Sequence, residues 1–96
     1  MQIKKNIGGE MKKIYKYQLE PEENQILSLP EDAKFIHVGM QKEKITIWVV
    51  IESMNRLRDY DIKIIGTGWN IPDYDDLRYI GTVQMITGFV WHIFYK

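Results

Sequence analysis

Cysteine is absent from the 96 residues, which removes disulfides, thiolate metal sites and thiol nucleophiles together and fits a reducing compartment. Imidazole is almost as scarce, because His37 and His92 are the two histidines and a metal centre would have to recruit carboxylates from elsewhere. No charge of one sign prevails. Thirteen basic and thirteen acidic side chains cancel, so no whole-chain field draws the protein onto duplex nucleic acid or an anionic membrane. The longest uninterrupted apolar run is Ile47 to Ile51, far short of the ~20 residues a membrane helix needs. Known chemical motifs are missing as well. There is no Gly-Lys-Ser/Thr phosphate loop and no Gly-x-Ser-x-Gly elbow. Gly66-Thr67-Gly68 has Ile71 where a dinucleotide fingerprint needs a third glycine. Asp73, Asp75 and Asp76 lack the offsets and distal glutamate of a calcium loop and read as a solvated turn.

What is present is β-type patterning. Hydrophobic residues make up 45% of the chain and charged residues 27%, an ordinary globular balance. A chain of this length builds one core. Tyr15, Tyr17 and Leu19 alternate with Lys16 and Gln18, the period of a half-buried strand. Pro21 ends that run; Gln25–Leu29 and Ala33–Met40 follow, separated by Pro30-Glu31-Asp32. Polar Gln41–Lys44 joins the third run as a hairpin to Ile45–Ile51, which is apolar on both faces and reads as a covered central strand. Glu52–Tyr60 reads as a solvated connection with room for one helical turn, and Asp61–Ile65 alternates again. Leu77–Ile86 and Phe89–Tyr95 complete the set, with Thr87-Gly88 as a two-residue turn. The expected fold is all-β: about seven short antiparallel strands in a meander, forming a small sandwich or partly open barrel with little helix.

The first ten residues lack periodicity. Gly8-Gly9-Glu10-Met11 can be encoded by a purine-rich ribosome-binding site read in frame, so Met11 is the expected natural start. Residues 1–10 are then an upstream or added extension without order of its own, and residues 11–96 a single domain.

The side chains best suited to function are aromatic and polar rather than catalytic. Trp69, Tyr74 and Tyr79 lie in or beside loops together with Asn70 and Arg78. They offer flat faces for stacking, an amide for hydrogen bonds and a guanidinium for an anion. His92 lies between Trp91 and Ile93, so alternation turns it away from both and alongside Val90 and Phe94; an imidazole among apolar neighbours needs a partner. The bland alternative is that Trp69 and Tyr79 complete the core and that both histidines are hydrogen-bonded strand residues.

Several fragments occur in a specific order: Ile14-Tyr15-Lys16-Tyr17, Leu29-Pro30 with Ala33, Ile47-Trp48, Gly66-Thr67-Gly68 with Ile71-Pro72, Tyr79-Ile80-Gly81-Thr82 with Gln84, and Val90-Trp91-His92 with Phe94. Together they resemble a family of small proteins of unknown function encoded by phages and mobile elements in bacteria. The resemblance implies a context and no catalytic residue. It implies an accessory protein working in the host cytoplasm, in counter-defence, that sequesters a nucleotide-derived immune signal. Such a protein would be a homo-oligomer, without cofactor or metal, whose ligand pocket uses Thr67, Gly68, Trp69, Asn70, Arg78 and His92. The rival is a protein–protein module, either an inhibitor of a host protein or a minor virion component. A hydrolase of signalling nucleotides, with His92 or His37 as base, is the third reading.

Overall fold

The computed structural model describes residues 11–96, and the expectation for residues 1–10 lies outside them. Seven strands form two antiparallel sheets: β1 (Lys12–Gln18), β2 (Asn24–Pro30), β3 (Lys34–Gln41), β4 (Lys44–Glu52), β5 (Leu57–Gly66), β6 (Arg78–Gln84) and β7 (Val90–Tyr95). The all-β sandwich expected from the alternation is the fold found, and no α-helix occurs among the described residues. A single 3₁₀ turn, Tyr74–Asp76, carries the exposed acidic group. No helix among the described residues is long and apolar enough to cross a membrane.

The order of strands is not a meander. One sheet runs β1-β4-β3 and the other β2-β5-β7-β6. The chain crosses between sheets at the Pro21 loop, at the Glu31-Asp32 corner and after β4, leaving β3–β4 and β6–β7 as its two hairpins. Those crossings put the inward halves of both sheets against each other. Ile47, Val49, Ile62 and Ile93 are fully buried between them, with Leu29, Ile51, Tyr60 and Val83 alongside. Strand β4 is central in its sheet, as its composition implied. Among the described residues its outer side, however, is covered by neighbouring side chains and not by another layer. The Lys16 ammonium donates to Gln41 Oε1 at 2.7 Å, and the side chain thus reaches across β4 above Thr46, which is fully buried.

Strand β5 begins earlier than expected, at Leu57. Arg58 and Asp59 do not forbid this, because they pair with Leu29 and Ser28 of the edge strand β2 at an exposed end of the sheet. The β6–β7 connection is also longer than two residues. Met85 N–H bonds to the Phe89 carbonyl and Gly88 N–H to the Met85 carbonyl, both at 2.8 Å. Gly88 has φ 97°, so this is a three-residue hairpin closed by a left-handed glycine.

The β3–β4 hairpin is tight in the other way. Gln41 pairs with Lys44, and the two residues between them, Lys42 and Glu43, have φ 51° and 63°. A two-residue turn of this twist favours Asn-Gly, and each L-residue held left-handed costs about 1 kcal/mol. Replacing Lys42-Glu43 by Asn-Gly is expected to raise stability by about 1 kcal/mol, read as a higher urea midpoint with an unchanged slope.

Tyr17 points inward from β1 opposite Ile47. Burial, and secondarily the neighbouring Tyr15 phenol, raises its pKa above the ordinary phenol value. The fold therefore favours the neutral ring. That stabilisation is complete below the unfolded phenol's pKa of about 10 and is lost as pH rises through the higher folded value. Urea midpoints measured from pH 8 to pH 11.5 should fall at the alkaline end, and Tyr17→Phe should fall less steeply than the parent.

Candidate functional site

The structure distributes the six expected site residues over four places. Thr67 and His92 meet. Thr67 Oγ1 lies 2.8 Å from His92 Nε2, and Thr82 Oγ1 lies 3.0 Å from Nδ1. Strand register explains this: His92 on β7 lies between Ile65 of β5 and Thr82 of β6, and Thr67 continues the Ile65 face. The Tyr79 hydroxyl extends the row, bonding Thr82 Oγ1 at 2.5 Å. Both imidazole nitrogens are thus occupied by hydroxyls, which satisfies the partner demanded by alternation. Among the described residues no three His, Asp or Glu side chains are grouped to hold a metal ion.

Trp69 goes to the opposite, inner side of the same sheet. The turn at Gly66 returns the chain, with Trp69 N–H bonded to the Gly66 carbonyl at 3.1 Å. The indole then lies directly on Gly66, where any Cβ would stand 2.7 Å from the ring. It meets Trp91 edge-on with centroids 5.4 Å apart. Gly68, with φ 89°, and Asn70 remain exposed in the loop between these two places. Arg78 is elsewhere, at the start of β6 opposite Tyr95. Through Tyr95 it is level with Ile62 of β5, roughly 13 Å along the strand from Gly66 and two strands across the sheet.

Around Trp69 the end of the sandwich opens into a cleft of about 440 Å³. Its floor is Leu19, Ile45 and Ile64, and its walls are Trp69, Trp91 and Met85. The walls are held in place. Trp91 Nε1 donates to Met85 Sδ at 3.0 Å, and Phe89 stacks on Trp91 at 5.9 Å and 23°. The rim is the β1–β2 loop, which Gln25 ties together: its amide accepts from Glu20 N–H at 2.9 Å and donates to the Glu20 and Glu22 carbonyls at 2.8 and 3.2 Å. Glu20, Glu22, Glu23 and Glu43 line that rim against one cation, Lys44. A cavity of this size falls in the range used for small molecules. Its chemistry is that of indole faces within reach of carboxylates, which favours flat neutral or cationic groups and opposes anions.

Alternation along single strands does not reveal this cleft. Trp69 was its one expected member; Trp91, Met85 and the glutamates come from three separate segments whose convergence depends on the crossovers.

These features define a small two-sheet all-β domain with an aromatic-walled cleft at one end. The chain belongs to the family described as a domain of unknown function (DUF7352), which matches residues 11–96. No curated protein and no solved structure matches it.

Proposed function

We propose that this is a small accessory binding protein whose ligand seats in the end cleft against Trp69 and Trp91. The observation that carries the reading is the pairing of a half-exposed Trp69 (50%) with an ordered apolar cavity of about 440 Å³. An indole left this accessible beside a preformed hollow is suited to stacking on a flat ring. A nucleotide-derived immune signal is compatible with the cleft through its base. The four rim glutamates require its phosphates to point away from them. The phage setting and the counter-defence role rest on the motif resemblance alone. Homo-oligomerisation draws support from the outer edges of β1 and β2, which among the described residues have no partner strand and offer a second copy places to pair; light scattering on the purified protein tests it.

Titration of tryptophan fluorescence with nucleosides, cyclic dinucleotides and ADP-ribose tests the ligand class. Nucleosides are expected to bind more tightly than their phosphorylated counterparts. Binding should be lost in Trp69→Ala and weakened in Gly66→Ala, where the new methyl displaces the indole. Silence from cyclic dinucleotides and ADP-ribose removes the signal-sequestering version, and silence from the whole panel removes the nucleotide class.

A second reading is a protein–protein module. It is favoured by the exposure of Ile86 (93%) and Phe89 (62%) next to Trp69 at the same end, an arrangement suited to a partner surface. A stoichiometric host or virion protein recovered from infected cells, lost on Phe89→Asp, would support it. The hydrolase reading requires turnover that disappears in His92→Ala.

A further inference from the structure

The opposite end of the sandwich has different chemistry. There a polar hollow of about 350 Å³ is lined by Arg58, Arg78, Lys96, Asp32, Asp76 and the two tyrosines 60 and 95. Its aromatic side is rigid. Tyr60 and Tyr95 lie 6.1 Å apart, Phe35 packs on both, and the Tyr60 hydroxyl accepts from Ala33 N–H at 3.2 Å. The Arg58 guanidinium lies 4.3 Å above the Tyr60 ring, which fixes one planar fork over this floor. Arg78 enters from β6 beside Tyr95.

The arginines are notable for what they do not bind. A guanidinium near a carboxylate ordinarily closes a fork on it, as Arg56 does on Glu31 at 3.2 Å. Asp32 and Asp76 line the same hollow, yet among the described residues neither Arg58 nor Arg78 forms an ion pair or a side-chain hydrogen bond. Both guanidinium forks therefore lie open beside two carboxylates. A second anionic group would meet Asp32 or Asp76, so the open forks suit one compact oxyanion rather than a polyanion.

We infer that Arg58 and Arg78 form a binding site for a single oxyanion, a phosphate or carboxylate group, carried by a ligand whose remaining surface rests on Tyr95. This site is independent of the Trp69 cleft and lies at the far end of β5. It gives Arg78 the anion-binding role expected of it, with Arg58 as partner in place of Trp69.

Titration with inorganic phosphate and separately with acetate, followed through the arginine Nε–Hε signals at constant ionic strength set by sodium chloride, tests the assignment. A saturable shift of Arg58 and Arg78 with either probe is expected, and the stronger probe tells phosphate from carboxylate. Arg78→Gln should raise the apparent Kd at least about tenfold, the scale of one lost charged hydrogen bond. Arg78→Lys, which keeps the charge and loses the fork, should raise it less. Trp69→Ala should leave it unchanged, which separates this site from the cleft. Shifts that grow linearly for both probes, or an Arg78→Gln variant with the parent Kd, would overturn the inference.

Discussion

Replacing Tyr60 by alanine is expected to destabilise the domain by about 3–5 kcal/mol, the range for removing a buried aromatic ring. The ring is 1% exposed and touches Phe35, Tyr95 and the Arg58 guanidinium. Its hydroxyl holds Ala33 N–H at 3.2 Å and so pins the corner between β2 and β3 to β5. Against a total stability of about 5–15 kcal/mol for a domain, the loss is large enough to unfold much of the population at 37 °C. Tyr60→Phe separates the two contributions. It keeps the ring and leaves the half-buried Ala33 amide without its acceptor, at a cost of about 0.5–1.5 kcal/mol. Urea unfolding measures both. An alanine variant within about 1 kcal/mol of the parent would show that the ring is not part of the packed core.

The strands themselves were legible because burial on one face imposes a period of two. Tyr15 to Gln18 alternates in this way and lies in β1, whereas Ile45 to Ile51, apolar on both faces, is marked by its branched residues and lies in β4. Where the rule weakens, legibility fails. Leu57 to Tyr60 pairs with an edge strand at the sheet's end, so Arg58 and Asp59 stay solvated and disguise the start of β5. Pairing order was hidden for a different reason. A short loop such as Leu19–Glu23 can close a hairpin or cross between layers, and local pattern does not distinguish the two. Here it crosses, so β1 pairs with β4.

The same logic divides the candidate site. Parity along β7 correctly turned His92 away from Trp91, because it is a property of one strand. The identity of its partners, Thr67 and Thr82, depended on register across three strands. Parity does not survive the Gly66–Gly68 turn, so Trp69 reaches the inner side while Thr67 stays outside. Arg78, nine residues on in sequence, is carried by the loop to the far end of the sheet before β6 begins. Nearness in sequence therefore grouped residues that the fold separates into a hydroxyl–imidazole row, an acidic aromatic cleft and a guanidinium pair.

Gly81→Ala is expected to destabilise the domain by about 1–3 kcal/mol, because an added methyl overfills the seam where the two sheets approach. A Cβ at Gly81 would stand 2.4 Å from Val38 Cγ1, and Val38 is 6% exposed with a stiff β-branched side chain that cannot swing clear. The contact follows from a feature shared by the facing strands. β3 is irregular between Phe35 and His37 and β6 between Tyr79 and Gly81, and such bulges increase local twist. Each bulge lies next to its contact residue, so the two edges curl together on this side, while among the described residues the outer edges of β1 and β2 do not pair with each other on the other. Val38→Ala alone should cost on the order of 2 kcal/mol for its two buried methyl groups. If the seam is the cause, the double variant Val38→Ala with Gly81→Ala will be less destabilised than the sum of the singles by at least about 1 kcal/mol. Strict additivity in urea unfolding would mean that the edges of β3 and β6 do not meet, and the sandwich would then have two open sides instead of one.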